Sequence, residues 1–351
     1  MSMKTRILSA ATLCVATATF VSQAIAHHGS VSNGALYFTD TMLEFEGEII
    51  EVLWRYPHTR ARMRVVEPNG EEKIWEIEIG PTPRVFESQG RRSEDFLGNV
   101  KLAGYRSKRD PDSIGAMHLL LPSGEELVRA NRAQPRWSEN LVKDVETVLD
   151  PERIAEDRRT ANGIFRIWGE RLHRRATVAD VDEQLTDRGR ELFAQYDAVT
   201  DNPELECRTG IVTSMMDTAP IRFVDEGDRI IIDLEDFNAE RVIFLNPEAT
   251  SVEPVLAEFG YSLGHWEGDA LVVRTTHIDY PLMFRDGTPH SDQVEILERF
   301  VMSENQSLLT YTATVTDPVV FSGPVTVRQQ RRWAPGYEMI EDFDCALEWE
   351  E

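Results

Sequence analysis

The chain has 351 residues, with 37 basic and 61 acidic side chains and a formal net charge of −24. That balance argues against nucleic acid as a partner, because phosphate binding draws on Lys and Arg to release counterions. It argues equally against an anionic membrane surface, and the acidic excess is read as a source of solubility.

Positions 1–26 hold no acidic residue, carry Lys4 and Arg6 early, run apolar from Ile7 to Val21 and finish Ala24-Ile25-Ala26. This is the pattern of a secretory signal peptide with an A-x-A cleavage site. A membrane anchor needs about 20 apolar residues and no such site. The mature chain is therefore expected to start at His27, in the periplasm or outside the cell, with no stable membrane insertion. Cleavage leaves 35 basic residues against 61 acidic, a net −26. Cys14 departs with the leader, and Cys207 and Cys345 are expected to pair in an oxidising compartment.

Residues 27–128 read as a small β domain. Period-two runs at Leu43–Trp54, Ala61–Val66, Lys73–Ile79, Val100–Tyr105 and Ala116–Leu121 supply five or six strands, with turns at Pro68-Asn69-Gly70 and Pro122-Ser123-Gly124. Gly47 permits the bend that closing a small barrel requires. Thr82 as N-cap with Pro83 behind it predicts one short helix ending at Gly90.

Residues 129–199 form a charged, partly helical linker, interrupted by the strand-like run Gly163–Trp168. Helical spacing appears at 187–196 through Leu192, Phe193 and Tyr196. Residues 200–351 return to β signals at Ile221–Val224, Arg229–Leu234, Glu240–Leu245, Leu271–Thr276, Val294–Phe300, Leu308–Thr316, Val325–Trp333 and Met339–Leu347. Trp266-Glu-Gly-Asp269 marks a tight reversal. The fold expected is mainly β: a small OB-like barrel, the linker, then a calycin-like or lipocalin-like antiparallel barrel of the kind that encloses a ligand.

Two stretches resemble families of exported bacterial proteins. His27-His28-Gly29, Glu46-Gly47-Glu48, Trp54-Arg-Tyr-Pro-His58 and Trp75-Glu76 resemble an uncharacterised secreted family that opens on a double histidine and carries a W-x-N-P-H motif. Tyr56 stands where that family usually has Asn. Gly260–Val273, Pro289-His-Ser-Asp292 and Glu298-Arg-Phe300 resemble a second uncharacterised family, whose motif reads G-Y-S-x-G-x-W-E-G-D-x-L-V-V. The resemblances imply two exported β domains and no set chemistry.

A chain starting at His27 would offer an amine and an imidazole on one residue, a chelate suited to Cu(II). His58, set by Pro57, is the first choice for the second imidazole and His28 the next. The alternative is a frayed polar terminus. In the second barrel, Gly264-His265-Trp266 echoes the lipocalin G-x-W, with Trp266 expected to plug the barrel floor. His265, Trp266, His277 and Arg328 are the candidate ligand contacts. An inward Arg328 would select an anionic ligand, whereas Glu298-Arg299 are expected to make cross-strand ion pairs with Arg328, Arg331 and Arg332.

His290 with Glu298 or Glu267 is a candidate general acid–base pair for a lyase or isomerase, set against plain turn capping by Ser291 and Asp292. The reading that leads is a binding protein that takes a small hydrophobic or amphipathic molecule in the second barrel. A copper-binding protein is its first rival and the enzyme its second.

Overall fold

The structure is a computed structural model and describes residues 34–129, 134–142, 149–171, 177–178, 181–217, 219–245, 255–339, 343 and 345. The leader, His27 and His28 lie outside the described residues, as does most of the strand expected at 339–347. The described chain is mainly β and forms two closed sheets.

The first sheet contains β1 (Tyr37–Leu53), β2 (Thr59–Val66), β3 (Glu72–Gly80), β4 (Gly98–Ser107), β5 (Ser113–Leu120) and β6 (Glu126–Val128) in the order β3-β2-β1-β4-β5-β6. A parallel pairing of β3 with β5, through Ile77 and Ile114, closes β1 to β5 into an OB-like barrel with β6 outside it. Inside lie Ile49, Met63, Ile77, Ile79, Leu102 and Ile114. Gly47 is where β1 bends over β2, since a Cβ there would stand 2.4 Å from the Arg64 carbonyl oxygen.

Helix α1 (Pro83–Ser88) follows β3, capped by the Thr82 hydroxyl, which accepts from the Val85 amide. It delivers Phe86 to the barrel floor, 5.7 Å from the Trp54 ring and 4.9 Å from Phe96. On the outer face of β2, Arg60, Arg62 and Arg64 are paired with Glu76, Glu51 and Glu48.

Between the sheets come α2 (Pro151–Thr160), α3 (Val181–Gln184), α4 (Asp187–Phe193) and α5 (Ile211–Met216). The second sheet contains β7 (Ile167–Arg171), β8 (Thr177–Val178), β9 (Ile221–Asp225), β10 (Arg229–Leu234), β11 (Ala239–Phe244), β12 (Tyr261–Glu267), β13 (Ala270–Thr276), β14 (Glu295–Met302), β15 (Leu308–Thr316) and β16 (Val325–Trp333). Pairing of β15 with β16 closes nine of these strands into a barrel, with β8 added beside β16. Strand β7, which shares only Ile167 and Trp168 with the strand-like run expected at Gly163–Trp168, fills the wall between β9 and β16. All the barrel's neighbours are antiparallel except β11 and β12, which run parallel through Ile243 with Ser262 and Phe244 with Leu263.

Strand alternation turns Ile296, Glu298 and Phe300 of β14 inward, with Leu309, Tyr311, Ala313 and Val315 of β15 beside them. Each such Ile, Leu or Phe contributes roughly 1.5–3 kcal/mol on burial. The reversal at Gly268, with φ of 61°, joins β12 to β13 as a hairpin. Helix α5 and the 277–294 connection pack into the same core, and the Tyr280 ring lies where a Cβ on Gly210 would be, 2.4 Å away. Arg285 of that connection reaches Glu204 and Asp217, both at 2.5 Å.

The barrels meet through aromatic contacts. The Tyr56 ring is 4.5 Å from Phe343, Phe343 is 5.4 Å from Phe237, and the Arg84 guanidinium lies 4.4 Å over Tyr337. The expected Cys207–Cys345 disulfide is present, and the backbone at Cys345 pairs with Tyr56 of the first barrel.

Candidate functional site

Six neighbouring strands each turn a polar side chain into the otherwise apolar interior of the second barrel: Arg241 on β11, Ser262 on β12, Thr275 on β13, Glu298 on β14, Tyr311 on β15, and Gln329 with Arg331 on β16. All are buried, Arg241 to 1% exposure and Glu298 to 0%. Arg241 grips Glu298 with two nitrogens, Nη1 donating to Oε1 at 2.8 Å and Nη2 to Oε2. Nη2 also donates to Ser262 Oγ at 3.1 Å and Thr275 Oγ1 at 2.8 Å, while Tyr311 Oη donates to Glu298 Oε1 at 3.0 Å.

Burial works against charge on Arg241, but the Glu298 carboxylate outweighs it and holds the guanidinium above its ordinary range. Burial, and then the charge of Glu298, push the Tyr311 hydroxyl well above its usual value, so it remains a donor.

Arg331, two positions along from Gln329, fans over the end of α5. It donates to the carbonyls of Ser214, Met215, Asp217 and Ala219 at 3.2, 3.3, 2.9 and 2.5 Å. They cluster at the C-terminal end of α5 and just beyond it, where a helix leaves carbonyls short of internal partners; Ser214 also accepts from the Asp217 amide at 3.1 Å. Gln329 uses Oε1 to accept from the Gln330 amide at 3.0 Å. Its Nε2 is buried with no hydrogen-bond partner among the described residues, and neither has the Thr213 hydroxyl on α5.

The residues singled out from sequence are dispersed relative to this seam. Glu298 belongs to it, but its partner is Arg241, not Arg328, Arg331 or Arg332. Its neighbour Arg299 points outward to Glu267 at 2.6 Å. Arg328 and Arg332 are exposed on the outer face of β16, whereas Arg331 is inside. His265 is exposed and 3.3 Å from Glu267, and His277 is exposed with φ of 59°, its Nδ1 2.8 Å from Thr276 Oγ1. Trp266 is 42% exposed at the strand end, edge-on to Phe165, so it does not seal the barrel floor.

His290 is not paired with Glu298. Its Nδ1 faces the Ser291 carbonyl at 2.9 Å and its Nε2 the Tyr280 carbonyl, so both nitrogens meet acceptors. Ser291 donates to Asp317 rather than to Asp292. The lyase or isomerase arrangement is therefore not assembled by these side chains.

In the first barrel, His58 Nδ1 lies 3.4 Å from Glu78 Oε1. Glu78 also accepts from Tyr37 Oη at 2.7 Å and from Arg129 at 3.3 Å. Burial opposes charge on Glu78, but His58, Arg129 and the Tyr37 hydroxyl hold its carboxyl far below the usual range. A histidine oriented by a carboxylate at one nitrogen presents the other to a metal. Among the described residues no three His, Cys, Asp or Glu side chains group as a metal site, and none of the helices is long and apolar enough to cross a membrane.

Sequence reasoning missed Arg241, Tyr311 and Gln329. One signal was available for Glu298: it adjoins Arg299 in a strand, and adjacent strand residues face opposite ways, so one of the two charges had to point inward.

No curated protein matches the chain. Among solved structures, a match is the "secretary abundant heat soluble (SAHS) protein from Ramazzottius varieornatus", 13% identical, covering 50% of this chain and 98% of that one with a TM-score of 0.25. A family of unknown function, DUF6152, matches residues 14–112.

Proposed function

We propose that the protein is an exported binding protein whose nine-stranded barrel takes a small amphipathic molecule, its polar end toward the Arg241–Glu298–Tyr311 seam and its apolar part along the wall. One observation carries this reading: a bidentate ion pair and its hydroxyl partners stand inside an apolar barrel. Replacing a buried ion pair by apolar groups of equal volume is commonly neutral or stabilising. Its presence is then better accounted for by recognition than by stability. Export rests on the leader-like first 26 residues and is supported by the disulfide.

The test is titration of the mature protein with dodecanoate and its neutral derivatives, followed by calorimetry and by displacement of a fluorescent lipid probe. Micromolar binding that disappears in a folded Arg241→Met/Glu298→Met double variant supports the reading. Absence of binding by the whole series sinks it.

A second reading is copper chelation by the mature terminus. His27 would supply amine and imidazole, with His58 or His28 supplying the further nitrogen. It is favoured by the contact of His58 Nδ1 with Glu78, which leaves Nε2 for a ligand role, and by β1 starting at Tyr37, whose hydroxyl touches the same carboxylate.

A further inference from the structure

If the barrel is a binding site, and the inference rests on that reading, its seam also carries information on the chemistry of the guest. Gln329 and Arg331 are successive inward positions of β16, and Gln329 is 2% exposed. The Gln329 carbonyl oxygen is used by the Gln330 amide, and its Nε2 is the orphaned end. An amide nitrogen can only donate. The group missing opposite it is therefore an acceptor. The Thr213 hydroxyl, which is also buried and has no hydrogen-bond partner among the described residues, sits on α5, which Arg331 ties to β16 through the Ser214 and Met215 carbonyls.

Charge narrows the acceptor further. Arg241 is balanced by Glu298. Arg285 lies between two buried carboxylates, Glu204 and Asp217, and the Arg331 guanidinium donates to the Asp217 carbonyl on the far side of that same residue. The buried pairings of Arg241 with Glu298, and of Arg285 with Glu204 and Asp217, are thus already made within this core. An ionised guest would add a charge with no counterpart in a place where desolvation is severe. A neutral guest adds none.

We propose that the barrel recognises an apolar molecule bearing a neutral carbonyl group, an ester or a ketone, whose oxygen accepts from Gln329 Nε2. Carboxylates and amines of the same chain length are disfavoured, and hydrocarbons lack the acceptor.

The experiment compares methyl dodecanoate, dodecanoate, dodecylamine and dodecane on the mature full chain, by calorimetry and by the fluorescence of buried Trp168. The ester is expected to bind about tenfold tighter than dodecane, the worth of one well-made hydrogen bond, and tighter than either ion. In Gln329→Leu, and in Gln329→Met should the first variant fold poorly, the ester should fall to the level of dodecane while dodecane is unchanged. Tightest binding by the carboxylate or the amine overturns the proposal. So does an ester preference that survives the loss of Gln329, or a crystal structure of the ester complex with water alone at Nε2. Failure of all four compounds to bind overturns the barrel reading itself, a separate outcome.

Discussion

Arg241 and Glu298 stand 57 residues apart in sequence, on strands that do not touch, and meet as a forked ion pair inside the second barrel. Ser262 and Thr275, from the two strands between them, fill the remaining donor and acceptor positions. The pair is a cross-brace as well as a polar surface, because it joins β11 to β14 across the parallel seam at β12.

Removing one member should be far worse than removing both. Arg241→Met leaves a buried carboxylate without its counter-charge and is expected to lose about 3–5 kcal/mol in urea unfolding. The Arg241→Met/Glu298→Met double variant should recover most of that loss. Additive losses in the two single variants and the double would show that the groups do not act as a pair.

Acid should loosen the segment docked on the first barrel. Glu126 is buried and accepts from the consecutive amides of Arg136, Trp137 and Ser138, and it is 2.9 Å from His118. Burial alone would raise its pKa, but those three amides and His118 lower it. A depressed carboxylate contributes stability that is complete above its unfolded value, about 4.3, and is lost as pH falls through the folded value. Exchange protection of the 136–138 amides should therefore fall below about pH 4. In Glu126→Gln it should be weak already at neutral pH, with little further change on acidification. Protection in the wild type that is level from neutral to acid would refute this account.

Close packing of the 277–294 connection on α5 can be tested at Gly210. Its backbone is extended, so alanine meets no conformational penalty, but the new Cβ would stand 2.4 Å from the Tyr280 ring. Gly210→Ala should lose about 1–3 kcal/mol. Adding Tyr280→Leu should return part of it, and a double variant no better than the sum of the two would place the strain elsewhere.

The disulfide closes a 138-residue separation and ties the chain end beside Tyr56. In the chain-entropy account, Cys345→Ser should lower unfolding stability by about 5 kcal/mol. Proteolysis should then cut first near the inter-barrel contact of Tyr56 with Phe343. Unchanged stability in the serine variant would count against that contribution.

Much of the fold is legible in period-two alternation. Arg229–Leu234, Leu308–Thr316 and Val325–Trp333 are strands with the expected ends, and Thr82 caps α1. Long-range closure is not legible, because nothing local in Val325–Trp333 announces pairing with β7. The site was hidden for a local reason. In β11, Arg241 shares a face with Ala239 and Ile243, while Val242 and Phe244 make the other face equally apolar, so alternation does not say which side is inside. Helix α5 follows strand-like residues and is fixed by Arg331 from a distant strand, a contact no window of sequence contains.

The copper reading makes the sharpest demand on the N-terminus. If the mature chain begins at His27, Cu(II) should bind through the terminal amine, and one extra residue in front should abolish tight binding. His58→Ala should weaken it as well. The distinguishing variant is Glu78→Gln, since Glu78 orients His58 from behind without reaching the metal. Loss of such a support typically weakens metal binding about 10- to 100-fold. Equal affinity in the native and extended proteins would rule out chelation by the amine. Tight binding indifferent to His58 and Glu78 but lost on extension would assign the second imidazole to His28.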